Sequence, residues 1–138
     1  MIKNFIIVLS MFALISSCAK EEEKKVLDTT APTSTTSSDF INSGVGTTKK
    51  LTVTLALSAT DAVGVVAYYV SNNLTGSRPT TPSSSSTSWV EVTSTQTYSG
   101  SVSFTLTAST SDVGQYVWVF FKDAAGNVST YTTNDYIY

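Results

Sequence analysis

The sequence predicts an all-β fold, a two-layer sandwich of about seven short strands, preceded by a leader and a tether. Three observations carry this. Leu51, Val53, Leu55 and Leu57 alternate with Thr52, Thr54, Ala56 and Ser58, the period of two expected of a strand with one buried face and one wet face. Val102, Phe104 and Leu106 alternate in the same way with Ser101, Ser103, Thr105 and Thr107. Two further runs, VVAYYVS at 65–71 and QYVWVFFK at 115–122, are apolar on both faces, as central strands are when something covers each side.

Weaker strands are expected around Phe40-Ile41, at Trp89 to Val92, and from Val128 through the Tyr136-Ile137-Tyr138 end. Turn signals separate the runs: Asp61 to Gly64, the Pro79 to Ser88 loop, Asp112 to Gly114, and Ala124 to Asn127. No helical period is sustained between residues 39 and 138. Seven short strands in about 100 residues, punctuated by turns, predict a β-sandwich of immunoglobulin-like type.

The N-terminal segment has a different composition. Lys3 gives a positive start, Phe5 to Ile15 is apolar, and Ser16-Ser17 supplies small residues ahead of Cys18, the three-part layout of a secretory signal. At about 1.5 Å per residue the apolar run reaches roughly half of a ~30 Å hydrocarbon layer, so removal is expected rather than a stable span. The run Leu14-Ile15-Ser16-Ser17-Cys18 resembles a bacterial lipobox. That resemblance implies lipidation of the Cys18 thiol, cleavage before it, and acylation of the new amine. More than one acyl chain then holds the protein durably on a bilayer.

The expected organisation is a signal peptide at 1–17, a lipidated flexible tether at 18–38 and a sandwich domain at 39–138. Ala19 is not the aspartate that holds many lipoproteins at the inner membrane. Lys20-Glu21-Glu22-Glu23 resembles the export tag of certain surface lipoproteins, and is equally a solvated charge run. These resemblances imply a bacterial envelope protein at the outer membrane, with surface display as a further step. From Thr29 to Ser38 the Ser/Thr/Pro composition offers too little apolar surface to order itself, so a spacer is expected. Asp28-Thr29-Thr30 within it resembles an O-glycosylation acceptor, against the plain linker reading.

Composition removes most chemistry. The chain has no histidine and one cysteine, which excludes Ser-His-Asp and Cys-His nucleophiles and the usual zinc sets. A net charge of -2, without a basic stripe in the domain, gives no reason to expect nucleic acid as a partner. Asp61, Glu91, Asp112 and Asp123 stand apart on predicted turns and strands, unlike the paired acids of hydrolases. No enzyme activity is expected.

DTTAPT at 28–33, SATDAVGVVAYYVS at 58–71, Trp89 and YVWVFFKDAAGNVS at 116–129 together resemble one module of the bacterial immunoglobulin-like or fibronectin-III-like repeats of surface proteins. The resemblance implies a spacer, adhesive or display domain rather than a catalyst. It also implies a possible calcium ion, because some relatives bind calcium at acidic positions near domain ends; Asp61, Asp123 and Asn127 are the ligands it points to. The competing reading of Asp123-Ala124-Ala125-Gly126-Asn127 is turn chemistry alone. Otherwise no cofactor is expected.

Strand parity generates the second candidate site. With Val117, Val119 and Phe121 facing the core, Tyr116, Trp118 and Phe120 face the other way, and Tyr69 of the neighbouring strand joins them. Either this is an open patch for a protein or glycan ligand, or the Pro79 to Trp89 segment folds over it with Trp89 as lid. The functional expectation is therefore a non-catalytic, lipid-anchored binding or adhesion module. The alternatives are a structural envelope lipoprotein without a soluble ligand and a calcium-stabilised module.

Overall fold

The computed structural model describes residues 27–111, 113–131 and 134–137, with only the backbone of 134–136. The leader, Cys18, the Lys20 to Glu23 run and Asp112 lie outside the described residues. The described residues form five strands: β1 (Thr33–Ser34), β2 (Thr52–Asn73), β3 (Val90–Thr105), β4 (Gln115–Asp123) and β5 (Asn134–Ile137). All pairings are antiparallel, in the order β1-β2-β4-β5, with β3 also on β2. The all-β expectation holds. Among the described residues no helix is long and apolar enough to cross a membrane.

Five strands are described where about seven are expected, because two of them each join two separately predicted runs, β2 doing so through the turn predicted at Asp61 to Gly64. β2 joins the alternating run at Leu51 to Leu57 with the doubly apolar run at Val65 to Ser71. β3 joins the run at Trp89 with that at Val102 to Phe104. The Phe40-Ile41 segment is only a bridge, Ile41 to Leu55, although both residues are buried.

The predicted turn at Asp61 to Gly64 is an irregularity inside β2. The register with β3 shifts between Thr60 and Val65, and Gly64 sits at φ 127°, a conformation that favours glycine. Asp61 Oδ1 accepts the amides of Val63 at 2.9 Å and Gly64 at 2.7 Å. These are the backbone donors that a broken ladder would otherwise leave unmet.

On either side of that shift β2 has a different set of neighbours. Thr52 to Thr60 pair with Thr97 to Thr105 of β3 and, at Ala59 and Thr60, with β1, whereas Val65 to Asn73 pair with Tyr116 to Asp123 of β4 while Val65 to Tyr68 also pair with Val90 to Thr95 of β3. The inward residues of the first half, Val53, Leu55, Leu57 and Ala59, share one core with Val117, Val119, Phe121 and Ile137. The other face of β4 contributes Trp118 and Phe120 to a second core with Ala67 and Trp89. This is why β4 shows no polar alternation: it separates two apolar interiors.

The tether boundary at residue 38 requires correction. Thr33 and Ser34 pair with Thr60 and Ala59, and Thr36 is buried with its hydroxyl on Ser58 O at 2.9 Å while accepting Ser58 N at 2.8 Å. Pro32 is buried as well. Composition predicts a spacer because these side chains bury little oil; a hydroxyl that bonds the backbone of β2 helps to order the segment instead.

Burial, then the Tyr68 phenol beside it, raises the Tyr98 hydroxyl above its usual value near 10. A raised folded-state value means stability fully present below about pH 10 and lost as pH rises through the folded value. Thermal melts across that range should show an alkaline fall in melting temperature that is smaller in Tyr98→Phe. Leu55, fully buried, should cost about 2–5 kcal/mol in urea unfolding when changed to alanine.

Candidate metal centre

Three carboxylates meet at the end of the fold where β2 shifts register and β4 ends. Oxygen atoms of Asp28, Asp61 and Asp123 all lie within 4.8 Å of one another. Asp123 is 1 % exposed and Asp61 8 %.

Local structure fixes each of them. Asp123 precedes a turn in which Gly126, at φ 90°, donates to Asp123 O at 3.3 Å and Asp123 N donates to Asn127 O at 3.2 Å. The turn is clamped from behind by Ser129, whose amide donates to Phe121 O and whose hydroxyl accepts Phe121 N, both at 2.9 Å. Asp61 is held by the amides of the β2 irregularity. Asp28 accepts Thr30 N on Oδ1 at 3.0 Å.

A common pattern results. In each carboxylate Oδ1 takes backbone amides: Thr30 for Asp28, Val63 and Gly64 for Asp61, and Asn127 at 2.9 Å for Asp123. These bonds orient each group through one oxygen; the second oxygen of Asp123 accepts Asn127 Nδ2. Asp28 Oδ2 is buried with no hydrogen-bond partner, which is costly for an ionised oxygen unless a cation compensates it. An all-oxygen, three-carboxylate set suits a hard divalent ion, and calcium in particular tolerates the irregular geometry of ligands from three separate segments.

Of the residues named from sequence, Asp61 and Asp123 are brought together. Asn127 is adjacent: its Nδ2 donates to Asp123 Oδ2 at 2.7 Å, Asp28 O at 3.1 Å and Thr30 O at 3.4 Å. It is a brace across the site, tying the segment before β1 to the turn after β4. Asp28, the third carboxylate, is missed by sequence reasoning because it lies in the presumed spacer. It is the first residue of the DTTAPT stretch at 28–33.

The aromatic site is covered. Trp118 is 2 % exposed, Phe120 0 % and Trp89 8 %, so they form an interior rather than an open stacking platform. Trp89 packs edge-on against Tyr69 at 5.7 Å and donates from Nε1 to Ser83 O at 2.8 Å, closing the loop over the sheet as the lid alternative requires. Lys122 Nζ lies 5.0 Å above the indole and 3.3 Å from Glu91. Tyr69 and Tyr116 remain half-buried, Tyr116 stacked on Trp118 at 6.0 Å.

A cleft of about 710 Å³ opens at the other end, where β2 begins and β5 ends, lined among others by Lys49, Lys50, Leu106, Gln115 and Ile137. The described lining residues include no carboxylate. Comparison with protein-family models, curated proteins and solved structures finds no match. The observations therefore define an antiparallel all-β protein with a carboxylate cluster at one end.

Trp89→Ala should lower stability by about 3–5 kcal/mol in chemical unfolding, as expected for a buried aromatic. A ligand-contacting tryptophan on an open face would leave stability nearly unchanged.

Proposed function

We propose that this chain is a non-catalytic, lipid-anchored envelope protein that displays one immunoglobulin-like module, and that a calcium ion held by Asp28, Asp61 and Asp123 stabilises the module where the N-terminal segment joins it. The observation that carries the calcium reading is the convergence of three carboxylates around a buried oxygen without a partner. Calcium would replace mutual repulsion among these groups with attraction and would link three segments that are distant in sequence. Asn127 would hold the carboxylates in place through its side-chain nitrogen.

The immunoglobulin-like reading is supported by how the long strands divide their pairing. β1, the first half of β2 and the second half of β3 make one layer; β5, β4, the second half of β2 and the first half of β3 make the other. The apolar residues of both converge on one core. The lipid anchor is supported by the residues around Cys18 alone. With the aromatic face covered, a display or spacer role is favoured over sugar stacking.

Calcium addition after chelation should raise the melting temperature of the full-length protein, by about 2.7 kcal/mol of stability at a hundredfold excess over the dissociation constant. Asp123→Asn should abolish that increment. An unchanged melting temperature in wild type overturns the calcium reading. Palmitate labelling in a bacterial host should mark the wild-type protein and not Cys18→Ser; equal labelling of both overturns the anchor.

A further inference from the structure

Among the described residues the longest strand at a sheet margin leaves one edge unpaired. β3 pairs with β2 only, and it runs for 16 residues, whereas the other strands at sheet margins, β1 and β5, have two and four. Short margins are one way proteins avoid edge-to-edge pairing; charges and prolines are others. From Thr97 to Thr105, TYSGSVSFT, β3 has neither charge nor proline.

The polarity of the ladder shows what this edge presents. Leu106 N donates to Leu51 O at 2.8 Å, one step beyond the Thr52–Thr105 pair. Leu51–Leu106 is thus a hydrogen-bonded pair, and so is every second pair along the ladder: Val53–Phe104, Leu55–Val102, Leu57–Gly100 and Ala59–Tyr98. The same parity appears on β2, where Ala56 N points away from β3 and donates to Phe40 O at 2.9 Å. The amides and carbonyls of Ser99, Ser101, Ser103 and Thr105 therefore face outward from the sheet. They have no protein partner among the described residues.

The segment is also close to a palindrome about Ser101. Reversed against itself, it sets Thr97 opposite Thr105, Tyr98 opposite Phe104, Ser99 opposite Ser103, Gly100 opposite Val102, and Ser101 opposite Ser101. Hydroxyl pairs and an aromatic pair are favourable cross-strand neighbours, and the small Gly100 faces the branched Val102. Tyr98, Val102 and Phe104 are only partly buried against the core, so a neighbouring strand would cover apolar surface as well as backbone. Ser99, Ser101, Ser103 and Thr105 are exposed.

We propose that the free edge of β3 pairs antiparallel with the same edge of a second copy of this chain, across a two-fold axis at Ser101. The pairing joins two sheets into one and makes about six backbone hydrogen bonds between Ser99, Ser101 and Ser103 of each copy. A single strand pair buries less surface than a standard stable interface, so the dimer is weak, with a dissociation constant in roughly the micromolar range or above. It is of the closed, isologous kind.

The two-fold axis supplies a specific test, because any charge at position 101 meets its own copy. Sedimentation velocity on the full-length protein in mild detergent, from about 1 μM to 1 mM, should show a concentration-dependent dimer for wild type. Ser101→Lys and Ser101→Glu should each shift the midpoint to several-fold higher concentration, while an equimolar mixture of the two should restore or tighten it. Circular dichroism melts check that both variants fold; if one does not, the pair is replaced by a Ser99→Lys, Ser103→Lys variant and a Ser99→Glu, Ser103→Glu variant, whose charges face each other across the same axis and so repel in each homodimer and attract on mixing. A wild-type monomer throughout, or a dimer indifferent to both charges, or single variants weakened without rescue on mixing, overturns the proposal.

Discussion

The constraint on which this architecture turns is the register shift within β2 between Thr60 and Val65. One strand serves two sets of neighbours, and it can do so only if the ladder is interrupted without stranding its amides. Asp61 meets that requirement by accepting Val63 N and Gly64 N on a single oxygen, and Gly64 by adopting a backbone conformation closed to most side chains. The shift lets the inward side chains of the first half of β2 share an interior with those of β4. It also delivers the Asp61 carboxylate to the end of the fold, beside Asp123, so the residue that permits the bend helps to build the site.

β4 depends on this arrangement. Its residues from Gln115 to Phe121 alternate between two interiors, and neither would exist without cover from another segment. On one side the cover is the first half of β2; on the other it is the loop ending at Trp89, fastened by the indole to Ser83 O. Lys122 marks where β4 leaves the apolar region, with its ammonium over Trp89 and near Glu91. The exposed geometry of that ion pair makes it worth little by itself. Apolar burial supplies the larger share.

Much of this was legible in the sequence, for physical reasons. Period-two alternation at Leu51 to Leu57 marks a half-buried strand, and the burial of Val53, Leu55 and Leu57 follows from it directly. The unbroken run at 115–122 read correctly as a strand covered on both sides. What could not be read was long-range. Alternation does not say whether two strand-like runs are one bent strand, so the Asp61 to Gly64 signals looked like a turn. Composition does not reveal hydroxyls spent on a neighbour's backbone, so Thr33 to Thr36 looked like spacer. Asp28 was lost from the carboxylate set for that reason. Strand parity placed Tyr116, Trp118 and Phe120 together but could not choose between a lid and an open face; Trp89 decides it by its burial.

The brace at Asn127 has a mechanical side. Its side-chain nitrogen reaches Asp28 O across 99 positions of sequence, so tension applied to the chain ahead of Leu27 arrives first at this contact and at the two-residue β1. That margin can peel away while β2 and β4 stay joined. A load at that end would thus be met by this contact and the β1 pairing before it reached the longer β2–β4 ladder.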